Sequence, residues 1–274
     1  VCRRKSIDVI EAPGTLIATG DLHDNPFHLE RLVEAARMDH PASPGEPGPH
    51  LTLHEVIHAD RLVNGLDFSY RALARVAQLK VEFPERVHAL LANHELSQII
   101  GAGIVKDGVR CVDAFNDGMA YVFGGEWERV AGAVERFIRS MPLALRCRGP
   151  RGDVLCAHSL PGPAGMGRFD TTILDRDLTD DDYQPRVGSA HVMVWGRGYD
   201  ADQLEDLVER WGVGLFVLGH EKADNGVLVV PPCAVVLNSD HSRGVYLPID
   251  LANPPRAEEA AGMVRPLALA GDMA

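Results

Sequence analysis

Gly20-Asp21-Leu22-His23-Asp24-Asn25 is the stretch on which the reading of this chain turns. It follows Thr15-Leu16-Ile17-Ala18-Thr19, an apolar and β-branched run that predicts a buried strand, and it precedes Pro26, which suits the first turn of a helix through Met38. A carboxylate and an imidazole therefore stand just beyond the carboxyl end of a strand, where open α/β sheets bind their ligands. The arrangement recurs four times. Leu51-Thr52-Leu53 predicts a strand ending at His54-Glu55, and residues 87–91 predict one ending at Asn93-His94-Glu95. Residues 153–157 lead to His158, and residues 213–218 lead to Gly219-His220. Taken singly, Asp21 or Asn93 is a turn or cap residue and a lone histidine is a satisfied, buried side chain. Their recurrence at strand ends points instead to metal-assisted hydrolysis, because carboxylate, amide and imidazole together suit divalent metals.

The rest of the chain alternates in the same manner. Helices are predicted over 69–80, 126–141 and 201–211, and β-like runs over 226–251 with turns at 231–232 and 239–244. Pro, Gly and Ser fill residues 41–49, which predicts a surface loop. No internal repeat is visible. The expected organisation is one α/β catalytic domain over 1–252 and a C-terminal tail over 253–274.

Composition narrows the function classes. At 274 residues and 46% hydrophobic, the chain can bury a full core. Its 27 basic and 39 acidic residues give a net charge of −12, which argues against nucleic acid or an anionic membrane as partner. No apolar run approaches the ~18 residues of a membrane span, and Val1-Cys2-Arg3-Arg4-Lys5-Ser6 lacks the apolar stretch of a signal peptide. Five cysteines, without CxxC spacing, indicate neither a disulfide framework nor a zinc knuckle, so a cytoplasmic setting is expected. His28, His40, His50, His88 and His191 are expected to be structural.

The five blocks resemble the calcineurin-like metallophosphoesterases, and within them the bacterial PPP-type serine/threonine phosphatases, whose pattern is GDxHG, GDxxDRG, GNHE, a lone His and a late GH. The resemblance spans roughly Gly14 to Leu251. It implies a four-layer α/β/β/α sandwich with two divalent metal ions, Mn, Fe, Zn or Mg. Mn is favoured because imidazole ligands suit ions softer than Mg. By motif position, Asp21 and His23 would bind the first ion and Asn93, His158 and His220 the second, with Glu55 where the family has its bridging Asp. His94 would be the general acid for a leaving alkoxide. The implied activity is hydrolysis of a phosphomonoester, on a small molecule or a phosphoprotein, by a metal-activated water. Val194-Trp195-Gly196-Arg197-Gly198 resembles the Trp-x-Arg segment of bacterial and phage members, which makes Arg197 the first candidate for a bidentate phosphate clamp.

The second block departs from the pattern. It reads His54-Glu55-Val56-Ile57-His58-Ala59, so the Gly and Asp become His and Glu, and His58 replaces the carboxylate that holds the catalytic His. Asp60 is the nearest substitute for that carboxylate, and Arg61 for the phosphate-binding Arg missing at Ala59. Ala92 replaces the Gly of GNHE. Asp240 and His241, in the 238–244 turn, are second-tier candidates, as are His54 and His58. Three other functions remain open: hydrolysis of a phosphodiester or dinucleoside polyphosphate, a weakened phosphate-sensing or protein-binding role, and an HExxH zinc protease. The last requires a helix through 54–58, with His54 and His58 one turn apart.

Overall fold

Apolar residues in the long strands alternate between two cores, and that alternation sets the layers. The computed structural model describes residues 2–38 and 48–268. The first strands are β1 (Arg3–Arg4), β2 (Ile7–Glu11), β3 (Thr15–Thr19), β4 (His50–Leu53) and β5 (Val87–Ala89). There follow a small hairpin, β6 (Val105–Lys106) and β7 (Val109–Arg110), then β8 (Ala144–Arg148), β9 (Asp153–Ala157) and β10 (Val213–Leu218). β11 (Val227–Val230), β12 (Ala234–Leu237), β13 (Val245–Asp250) and β14 (Arg265–Pro266) complete them. A seven-stranded sheet runs β1-β2-β8-β9-β10-β12-β11, and a five-stranded sheet runs β14-β13-β3-β4-β5.

Leu16, Ala18, Leu247 and Ile249 of the smaller sheet share one core with Leu145, Val154, Cys156, Val217, Val235 and Leu237 of the larger, so the sheets pack face to face. The intervening residues Ile17, Leu53, Leu155, Phe216 and Val236 join a second core with side chains from flanking helices. Those helices include α1 (Pro26–Ala35), α2 (Tyr70–Glu82), α3 (Asn93–Ile100), α4 (Cys111–Phe123), α5 (Trp127–Arg139), α6 (Ser189–Val194) and α7 (Ala201–Trp211). The layers are thus α/β/β/α. Parallel pairing of β3 with β4 and β4 with β5, and of β9 with β10 and β10 with β12, leaves strands buried on both faces and explains their unbroken apolar runs.

The two sheets meet where β3 ends. Asp21 forms parallel bridges to both His54 beyond β4 and Asn238 beyond β12. A Cβ at Gly20 would lie 1.9 Å from the Leu237 carbonyl oxygen, so only glycine permits this approach.

Several expectations shift. Residues 54–58 form no helix, and Glu55 and His58 take left-handed backbone at φ 49° and 63°. His54 and His58 are therefore not one helical turn apart, which removes the zinc-protease reading. The strand expected over 87–91 ends its ladder at Ala89, and Asn93 opens α3. Strands β2 and β8 were not expected. β8 carries Arg146, paired with Asp153 at 2.6 Å, and β2 carries Asp8, buried against His88 at 2.7 Å. The loop expected over 41–49 lies outside the described residues except for Gly48 and Pro49, as does His40. Beyond Asn253 the chain forms α8 (Ala257–Ala260) and then β14 on β13, burying Ala257, Ala260 and Leu267.

Candidate metal centre

The turns that leave the strands are strained in the same way. His23, Asp24, Glu55, His58 and His220 all have positive φ, between 42° and 67°, a region costly for side chains other than glycine. Tertiary contacts hold them there. Glu95 accepts hydrogen bonds from the backbone N–H of Val56 at 2.7 Å and Ile57 at 3.2 Å, which fixes the segment after Glu55. Both oxygens of Asp21 accept from the His220 backbone N–H, at 3.0 and 2.9 Å. A Cβ at Gly219 would lie 2.2 Å from Asp21 Oδ1, which explains why glycine precedes His220.

These turns gather the candidate ligands around Glu55. Its Oε1 lies 2.8 Å from His23 Nε2 and 3.6 Å from His94 Nε2, while its Oε2 lies 2.8 Å from His158 Nε2, outside hydrogen-bond geometry. His158 Nε2 is also 2.7 Å from Asn93 Oδ1 and 3.1 Å from His220 Nδ1. On its other side, His158 Nδ1 is 3.4 Å from Asp21 Oδ1 and 3.2 Å from His54 Nδ1. Three overlapping groups result: His23, Glu55 and His94; Glu55, His158 and His220; Asp21, His54 and His158. Nearly all of these side chains are buried.

The residues fit divalent cations. His23 Nδ1, His220 Nε2 and Glu55 Oε2 are buried without a hydrogen-bond partner, and such orphaned atoms are rare unless something else satisfies them. Ring nitrogens face one another or carboxylate oxygens at about hydrogen-bond distance, the arrangement a ligand set takes when its lone pairs converge. Protons supply the positive charge otherwise. Burial would lower His158, but Glu55 and Asp21 push it up to about 10. Burial likewise opposes His23, yet Glu55 raises it to about 9. Glu55 itself, despite burial, is held well below the carboxylate range by His94, His158 and His23.

A second line of contacts runs from the centre into α3 and α4. His94 Nδ1 lies 2.9 Å from His58 Nδ1, and His58 Nε2 lies 3.0 Å from Gln98 Oε1. Gln98 Nε2 donates to Asn116 Oδ1 at 2.8 Å. Because Gln98 offers its oxygen, His58 carries its proton on Nε2 and accepts at Nδ1 from His94, leaving the His94 Nε2 lone pair facing Glu55. His54 is fixed similarly, its Nε2–H donating to the Thr19 carbonyl at 2.9 Å.

Some of the other sequence candidates stand further from the centre. Asp60 is exposed and pairs with Lys106 at 2.9 Å, so His58 rather than Asp60 meets His94. Arg61 is exposed and bonds to none of these groups. Arg197 reaches the edge, donating to the His220 carbonyl, with its second nitrogen 3.3 Å from His220 Nδ1. Asp240 is half-buried, and burial together with Asp21 raises its pKa against the pull of His23. His241 uses both ring nitrogens on backbone, toward Ala223 and Arg243. Sequence reasoning missed Gln98 and Asn116. The available signal was Gln98 four residues after His94, on the same face of a helix.

Two packed sheets with carboxylates, imidazoles and an amide gathered at their strand ends define a metal-dependent hydrolase. The chain belongs to the calcineurin-like phosphoesterase family, whose sequence profile matches residues 14–224. Among solved structures, it resembles a serine/threonine phosphatase from Saccharomyces cerevisiae, described as similar to human phosphatase PP5. That match has 15% identity and a TM-score of 0.62 over 90% of this chain and 77% of that one. It also resembles the cold-active protein-tyrosine phosphatase of a psychrophilic Shewanella species, at 14% identity and a TM-score of 0.63, over 96% and 83% of the two chains. These likenesses establish the fold, and the family makes the chain a metal-dependent phosphoesterase. Among the described residues, no helix is long and apolar enough to cross a membrane.

Proposed function

We propose that the protein is a phosphomonoesterase acting on a phosphorylated small molecule or phosphoprotein, and that Glu55 joins its two metal sites. The observation that carries this reading is the position of Glu55, with one oxygen toward His23 and His94 and the other toward His158. Asp21 and His23 would hold one ion and Asn93, His158 and His220 the other, with Glu55 common to both. Two divalent cations, with manganese favoured over iron, zinc or magnesium, would supply Lewis acidity and an activated water.

The chain's own residues supply the rest. Arg197 clamps the substrate phosphate through its planar guanidinium, a role for which its contact with His220 favours it over Arg61, which bonds to none of the clustered groups. His94, with its Nδ1–H given to His58, takes and hands on a proton at Nε2, where the leaving alkoxide needs one. Free cysteines at 2, 111, 147, 156 and 233 support a reducing, cytoplasmic setting. The catalytic unit is taken as 1–252, with 253–274 as a C-terminal tail whose α8 and β14 pack back on it.

Glu55 and His58 in place of two aspartates favour a second reading, a weakened member that senses phosphate. Turnover separates the two. Manganese-loaded protein is expected to hydrolyse p-nitrophenyl phosphate faster than bis(p-nitrophenyl) phosphate and to lose activity on chelation. A preference for the diester would make it a phosphodiesterase, and metal binding without turnover would favour the sensor.

A further inference from the structure

Beside the metal ligands lies a cleft of about 330 Å³ whose lining includes Arg168, Arg186, His191, Trp195 and Arg197. No acidic side chain lines it among the described residues, although the chain carries a net charge of −12. Arg168 and Arg186 are exposed, and neither guanidinium has a hydrogen-bond or ion-pair partner among the described residues. His191 adds a donor. Its Nδ1 accepts the Arg186 backbone N–H at 3.2 Å, which leaves the ring proton on Nε2. Burial and the nearby Arg186 and Arg168 charges lower the pKa of this imidazole, in keeping with a concentrated positive field.

The cleft is joined to the centre by rigid parts. Arg197 lines it and donates to the His220 carbonyl, and the Trp195 ring lies 6.1 Å from the His220 ring. Its floor is two backbone segments in close contact. A Cβ at Gly196 would lie 1.8 Å from the Leu160 oxygen, and one at Gly162 2.6 Å from the Arg197 oxygen. Three guanidinium groups line one cleft, and a dianion matches both their charge and their paired donors.

We propose that this cleft is a second anion subsite, which takes a phosphate dianion carried on the same small molecule whose other phosphate is cleaved. The substrate class is then a small-molecule bisphosphate, and this assignment rests on the phosphomonoesterase reading. Arg168 and Arg186 bind the phosphate that remains, while Arg197 stands between the two subsites.

Non-hydrolysable α,ω-alkanediyl bisphosphonates of increasing length, titrated calorimetrically into manganese-loaded protein beside the matching alkyl monophosphonates, test the idea without relying on turnover. At one chain length the bisphosphonate is expected to bind about tenfold or more tighter than the monophosphonate, beyond the twofold statistical factor. The Arg168→Gln/Arg186→Gln double variant should bring the ratio back to about two. Both side chains are exposed, so folding should survive, and circular dichroism checks it. An advantage at no chain length, or one that persists in the double variant, overturns the subsite. An advantage seen only with a doubly phosphorylated peptide overturns the small-molecule assignment. Failure to hydrolyse p-nitrophenyl phosphate would instead count against the function reading, which this titration leaves separate.

Discussion

His94 gives its Nδ1 to another imidazole, that of His58, 2.9 Å away, where the family pattern has a carboxylate. His58 can orient His94 but cannot stabilise its charged form as an anion would. Burial accordingly holds His94 well below the ordinary histidine range, against the pull of Glu55. In His58→Asp, a charged acceptor should keep His94 protonated to higher pH. The limb of the kcat–pH profile on which activity falls as His94 loses its proton should then move upward by about one unit or more for an alkyl phosphate. An unmoved profile would show that the His94 proton does not limit turnover.

His94→Asn should lower kcat by roughly 10²-fold on alkyl phosphates, the scale expected for loss of a general acid. The defect should shrink on p-nitrophenyl phosphate, whose leaving group needs little protonation. Metal content, measured by mass spectrometry, should stay near the wild-type level. Its loss would make His94 a ligand alongside His23 and Glu55, a grouping the geometry also permits.

Glu55→Gln keeps the shape of the side chain and removes the charge between two cation sites, so bound metal should fall from two ions to one or fewer. Glu55→Asp should keep substantial binding. His54→Ala and His58→Ala should be milder than Glu55→Gln, since His54 is tied through Nε2 to Thr19 and His58 faces His94. Full occupancy in Glu55→Gln would dismiss Glu55 as the shared ligand.

Metal binding should release protons. His158 and His23, raised to about 10 and 9 by Glu55 and Asp21 against burial, are protonated at pH 7 in the metal-free chain, and a metal ligand must be neutral. Raised values mean that protons compete more strongly as pH falls, so affinity should climb from pH 6 toward pH 9 and flatten near pH 10. Calorimetry in buffers of different ionisation enthalpy counts the protons, and a release of zero at pH 7 would contradict the assignment of both histidines.

Much of the fold was legible because strands buried on both faces read as unbroken apolar runs, as at 153–157 and 213–218, where predicted and observed boundaries coincide. β2 and β8 escaped because their charged residues break the apolar pattern and are satisfied by partners on other strands: Asp8 by Arg3 and His88, and Arg146 by Asp153. The same limitation hid Gln98 and Asn116. Polar residues on a helix announce themselves only when their partner is known: Gln98 meets a histidine forty residues upstream, and Asn116 meets Gln98.

The sequence by itself determined that carboxylate, amide and imidazole side chains stand at successive strand ends, because strand periodicity and the glycines at 20 and 219 are local properties of the chain. Only the tertiary structure decided which of these side chains meet. Whether His54 joins His58 on a helix or turns toward His158, 104 residues away, depends on how the two sheets pack at Asp21 and on the left-handed turns at Glu55 and His58. Those turns are held by contacts such as Glu95 to Val56, which no local preference for a non-glycine residue would produce.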